Sequence, residues 1–67
     1  MRLVVNNEVK EFVEEQLCVA ELVEKLVTEN VSAAVAVGGK LVKKELWAVT
    51  WLSEGDSVTL ITAAYGG

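Results

Sequence analysis

The chain has no histidine, no proline and a single cysteine, Cys18, among its 67 residues. Each absence removes a class of protein. One cysteine makes no internal disulfide, and with neither histidine nor a second thiol a structural zinc site is excluded. Cys18 has no histidine to act as its base. The chain also lacks a phosphate-cradling glycine-rich loop and the bulk to form a deep pocket, so an enzyme is not expected. No apolar run approaches membrane-spanning length. Met1-Arg2 leads straight into a strand pattern, without the apolar core of a signal peptide. A lone unpaired thiol fits a reducing compartment, so a cytoplasmic protein is expected. Basic residues are scarce too: six against ten acidic ones, for a net charge of −4. That balance lacks the basic stripe of a nucleic-acid surface and suits a partner with a basic docking face.

What remains is one small domain. A chain of this length buries roughly 60% of the surface its unfolded form exposes, so its core is marginal. Hydrophobic residues make up 52% of the sequence, and with no disulfide or metal available, stability must come from packing. "MRLVVN" alternates, with Met1, Leu3 and Val5 on one face, which predicts a strand. Asn6-Asn7 marks a turn, because asparagine tolerates left-handed backbone. "EVKEFVEE" predicts the returning strand of a hairpin. Its pattern is irregular, since Val9 and Val13 share a parity that Phe12 lacks, and a bulge would reconcile them.

From Cys18 the period changes. Val19, Leu22, Val23 and Leu26 form one helical face, and the helix is predicted over residues 18–29, with Asn30 as its stop. Glu21 and Lys25 make an i,i+4 pair in the favoured order. "SAAVAV" is a strand, Gly38-Gly39 a turn, and "KLV" a short strand. "KKELWAV" has room for little more than a turn of helix. "SEGD" is a tight turn with Gly55 free to take positive φ, and "SVTLITAA" alternates as the last strand. The helix covers one sheet face and leaves the other to water or to a partner.

This order of elements resembles the ubiquitin-like β-grasp fold, and within it the ThiS family, sulfur carriers of thiamin (thiazole) biosynthesis. The resemblance runs over almost the whole chain. "MRLVVNNE" is similar to the family's opening strand and turn, and "VAELVEKL" to its helix start. "AAVAVGGKLVKKELWA" is similar to its third strand, turn and Trp-containing segment. "EGDSVTL" matches its Gly-Asp turn before the last strand, and Gly66-Gly67 match its reactive tail. Three positions depart from the pattern. Gly38 stands where Asn is common, Cys18 where Ser or Thr caps the helix, and Tyr65 is bulky for the place before the diglycine.

The resemblance implies a mixed α+β sheet of four to five strands with one main helix packed on one face. Residues 1–67 are expected to form a single domain, with 64–67 as its flexible C-terminal tail. It also implies a carrier rather than an enzyme. The carboxylate of Gly67 is adenylated by a ThiF-like enzyme using ATP, converted to a thiocarboxylate, and delivers its sulfur to thiazole synthase (ThiG). A cysteine desulfurase or other persulfide donor supplies the sulfur. Tyr65 and Gly66 enter the partner's active site, where a narrow channel would admit Gly66 and Gly67 because they lack Cβ atoms. No cofactor, metal, nucleic acid or membrane is implied. A MoaD-like carrier for molybdopterin synthesis and an interaction module with an inert tail are the alternatives.

Other residues have plainer readings. Glu14-Glu15 and Glu21-Glu24 read as solvated faces, Cys18 as a small residue at a helix start, and Trp47 as packing. Trp51 reads either as a lid on the core or as an exposed contact. If Leu3, Val5, Val58 and Leu60 face the helix, then Val4 and Ile61 face outward, joined by Ala34 and Ala36. These four are the candidate docking face, weighed against scattered surface apolar residues.

Overall fold

The computed structural model describes residues 1–27 and 31–63. Five strands and one α-helix follow in the order β1 (Arg2–Val5), β2 (Glu8–Glu11), α1 (Val19–Leu26), β3 (Ser32–Val37), β4 (Lys40–Val42), a 3₁₀ helix (Lys44–Val49) and β5 (Ser57–Ala63). They make one mixed sheet in the order β2-β1-β5-β3-β4. The first and last strands lie side by side and parallel, and the other neighbours are antiparallel. This is the β-grasp architecture that the element order implied.

β1 alternates as expected. Leu3 and Val5 are buried, and they meet Val35 of β3 and Val58 of β5 in a core that α1 closes with Val19 and Leu22. Val23, Leu26, Val37 and Leu60 are half-buried against it. Asn6 and Asn7 turn the chain at φ 51° and 68°, as a two-residue hairpin loop with the twist of the strands requires.

β2 is shorter than the sequence pattern suggested. It pairs with β1 in unbroken register from Val5↔Glu8 to Arg2↔Glu11, so no bulge is present. The irregular parity has a simpler cause. Phe12 packs against the core, with its N–H donated to the Met1 carbonyl at 2.8 Å. Val9 and Val13 are exposed.

The helix also differs from its expected span of 18–29. Cys18 is the N-cap in extended backbone, and Val27, at φ −111° and ψ 103°, has already left the helix, its N–H taking a last bond to the Val23 carbonyl. A β-branched residue is at home in that extended conformation. Thr28, Glu29 and the expected stop at Asn30 lie outside the described residues. The expected Glu21–Lys25 pair does not form. Glu21 Oε1 accepts the Cys18 N–H at 3.1 Å, reaching back over the first turn as in a capping box, and Lys25 pairs instead with Glu14.

Two irregular segments complete the core. Leu17 and Leu52 are both buried, and the Leu52 N–H donates to the Leu17 carbonyl at 2.8 Å. Val19 N–H donates to Thr50 at 2.9 Å, so Cys18 and Trp51 face each other in an isolated β-bridge. Trp47 is buried, and its Nε1–H donates to the Val42 carbonyl at 2.9 Å. Packing is therefore its role, as expected. Trp51 is 59% exposed, which places it outside the core.

Candidate functional site

β5 is the central strand of the sheet, and it leads to the C-terminus. Its start is stitched to β1 by the turn before it. Gly55, at φ 84°, donates its N–H to the Arg2 carbonyl at 2.7 Å, in a conformation that a side chain would strain. Asp56 Oδ2 accepts the Ser53 N–H at 2.8 Å, and Glu54 Oε2 accepts the Arg2 N–H at 2.9 Å. β5 then pairs with β3 over six positions, from Val37↔Val58 to Ser32↔Ala63. Its pairing with β1 is far shorter, covering Val4↔Ser57 and Val5↔Val58.

Where β1 turns away, a side chain takes its place. Asn6 Nδ2 donates to the Leu60 carbonyl at 3.0 Å, and Asn6 Oδ1 accepts the Leu60 N–H at 2.8 Å. The sequence marked Asn6 only as a turn residue. Its reach to a residue 54 positions away leaves no local signal. The tail residues singled out from the sequence, Tyr65, Gly66 and Gly67, lie outside the described residues, as does Ala64.

The four candidate docking residues all sit on the face opposite the core, but they do not form one cluster. Ala34 and Ile61 are register partners on β3 and β5, and Ala36 is two residues along from Ala34. Ile61 is 63% exposed, Ala34 is exposed and Ala36 half-buried. Val4 lies level with Ser57, four residues from Ile61 along β5, or about 13 Å at the rise of a strand. Val4, half-buried, instead opposes the exposed Val9 of β2. Leu41, opposite Ala36 on β4 and also exposed, extends the patch around Ile61. Sequence reasoning passed over Val9 and Leu41, although the alternation of their strands would have placed them here. Thr59 lies between the two groups, opposite Ala36. At one rim of this face Arg2 lies opposite Glu11, and Arg2 Nε donates to Glu11 Oε1 at 2.9 Å.

The remaining chemistry-bearing groups lie elsewhere. Cys18 is buried, with its backbone committed to the helix start and the bridge to Trp51. Glu14 sits by α1 and holds the Lys25 ammonium. The hydrogen bond from Lys25, ahead of a backbone hydrogen bond, holds the Glu14 carboxyl below its ordinary range against a small opposing effect of burial. Among the described residues there is no cluster of three or more acidic, histidine or cysteine side chains suited to a metal ion. Among the described residues no helix is long and apolar enough to cross a membrane.

The ThiS family model matches residues 3–67, nearly the whole length and through the final diglycine. The chain belongs to the ThiS family. A crystal structure of thiamine biosynthesis protein ThiS from Geobacter metallireducens is 29% identical, with all of each chain covered and a TM-score of 0.83. A solution NMR structure of a thiamine biosynthesis protein from the same organism is 28% identical, covers all of this chain and 88% of its own, and gives a TM-score of 0.82. No curated protein sequence matches the chain. For a ThiS-family chain, the site to consider is the end of β5 together with the open sheet face beside it. The sequence put forward the tail beyond β5 and this face, and of the two only the face lies within the described residues.

Proposed function

We propose that this protein is a sulfur carrier of thiamin biosynthesis, with the Gly67 carboxylate as the atom group that is loaded. The observation that carries the reading is the family match over residues 3–67, which includes Gly66-Gly67. A carboxylate resists nucleophiles, because its charge repels them and oxide is a poor leaving group. In the proposed route an oxygen of Gly67 attacks the α-phosphorus of ATP in a ThiF-like enzyme, and pyrophosphate leaves. The terminal sulfur of a persulfide, made by a cysteine desulfurase or another donor, then attacks the acyl carbon and expels AMP. Cleavage of the resulting acyl disulfide by a thiol leaves the thiocarboxylate, whose sulfur passes to thiazole synthase.

The protein's own part in this chemistry is presentation. A central strand, held on both sides at its start, carries the terminus to the partner. The absence of Cβ atoms at Gly66 and Gly67 suits a channel one backbone wide. The patch of Ala34, Ala36 and Ile61 flanks the strand that leads to the tail, and we assign it to docking, with Val4 at the far end of the same face. Catalysis belongs to the partner enzymes.

Intact-mass measurement tests the reading. Incubation with ATP, a ThiF-like enzyme, a persulfide donor and a thiol should shift the mass by one oxygen-to-sulfur replacement. Deletion of Gly67 should abolish that shift. An unchanged mass with a partner set competent on another ThiS-family protein would sink the proposal. Transfer to thiazole synthase but not to molybdopterin synthase assigns the pathway.

A further inference from the structure

Asn6 is doing more than its turn requires. At φ 51° a glycine would serve with less strain, as Gly38 and Gly39 do in the β3–β4 turn at φ 58° and 81°. The carboxamide explains the choice. It offers Leu60 one donor and one acceptor, the same pair that a residue of a neighbouring strand would offer. The backbone of β1 holds β5 through Val4 N–H to the Asp56 carbonyl and Asn6 N–H to the Val58 carbonyl, each at 2.9 Å. Leu60 is the next residue of β5 whose backbone groups face that side, because the groups alternate along a strand. By then β1 has turned into β2. The Asn6 side chain supplies the missing rung, three residues before Ala63.

We propose that Asn6 is a positioning residue for the carrier tail. It extends the two-sided grip on β5 from Val58 to Leu60, and so fixes the direction in which residues 61–63 carry the terminus to the partner enzyme. Without it, the strand beyond Val58 is held from β3 alone. The proposal rests on the carrier reading for its consequence, but not for its structural content. A strand end that is less well aimed must be ordered at binding, which weakens productive association. The bond-making steps at Gly67 belong to the partner and are untouched, so the loss falls on KM rather than on kcat.

The experiment compares Asn6→Gly, Asn6→Asp and the control Asn7→Gly in the full-length protein by NMR and kinetics. Asn6→Gly keeps the turn and removes the rung. Asn6→Asp keeps the acceptor but sets a carboxylate oxygen against the Leu60 carbonyl. In Asn6→Gly, amide exchange at Leu60 should rise by about tenfold beyond any change at Val35, as loss of its hydrogen bond predicts, with a smaller rise in Asn6→Asp, which keeps the acceptor. Residual dipolar couplings should change in residues 59–63 and stay fixed in β3. KM for adenylation by a ThiF-like enzyme, followed as pyrophosphate release, should rise by about three- to tenfold with kcat within about twofold. Asn7→Gly should match the parent in all three measurements. Unchanged couplings in Asn6→Gly overturn the proposal, and so do changed couplings with an unchanged KM. If the parent protein is not adenylated at all, the carrier reading fails. The couplings then judge the Asn6 rung alone: changed in 59–63 they uphold it, unchanged they overturn it.

Discussion

The two faces of the sheet are made from the same strands, yet they carry different burdens. On the inner face Leu3, Val5, Val35 and Val58 are all buried beneath α1. On the outer face Val4, Ala34, Ala36 and Ile61 come from the same three strands, one residue out of phase, and none is fully buried. These four outward residues are apolar too. What separates the faces is whether a second layer is present, since apolar area contributes to stability only when it leaves water. The inner face holds the domain together, and the outer face leaves Ala34 and Ile61 exposed.

The largest test of that contrast is on the inner side. Leu22→Ala removes a fully buried side chain of α1 and should cost about 2–5 kcal/mol in urea unfolding. A loss under about 1 kcal/mol would mean that the helix does not seal the core as described. Trp47→Phe keeps most of the buried ring but strips the Val42 carbonyl of its Nε1–H donor, and should cost about 1–3 kcal/mol in the same assay. On the outer side, Ile61→Ser should change stability by no more than about 0.5 kcal/mol. If the face docks, the same variant should weaken binding to a ThiF-like enzyme by roughly tenfold in calorimetry, the scale of one lost apolar anchor. Unchanged affinity would remove this patch from the docking surface.

The smallest effect concerns the Glu14–Lys25 pair, which touches neither face. The Glu14 carboxyl is held below its ordinary value of 4.5 in the folded protein. Its contribution to stability is therefore complete above that value and is lost as pH falls through the lower folded value, because the unfolded chain takes up the proton first. Lys25→Met should return the Glu14 titration, followed by carboxyl carbon NMR, toward its ordinary range. A Glu14 titration unaffected by Lys25→Met would assign the shift to backbone hydrogen bonding instead.

Much of this was legible before any coordinates. Alternation placed Leu3, Val5 and Val58 inside, the 3.6-residue period placed Val19 and Leu22 against them, and the paired asparagines and glycines marked both hairpin turns. These are local signals, because strand and helix periods are written in neighbouring residues. The misread features share an opposite character. Parity alone leaves room for a bulge near Phe12, but β2 ends at Glu11 in unbroken register and Phe12 packs against the core. Lys25 was paired with Glu21 by spacing, but Glu21 is occupied at the helix start and Glu14 comes close from another segment. Leu17 and Leu52 lie outside any periodic run, so nothing near them signalled that they would bond to each other and be buried. Val4 was grouped with Ile61 by parity, which gives the face but not the distance along the sheet.

The sequence by itself determined the elements and their inward faces, since each is written in residue type at short range, and its resemblance to a known family implied the β-grasp order. Only the tertiary structure decided how far each element runs, which ion pair forms, and that Asn6 grips Leu60 from the far end of the chain. Those outcomes depend on which distant groups arrive within hydrogen-bonding distance, and a backbone group or carboxylate takes the partner that the packed fold brings to it.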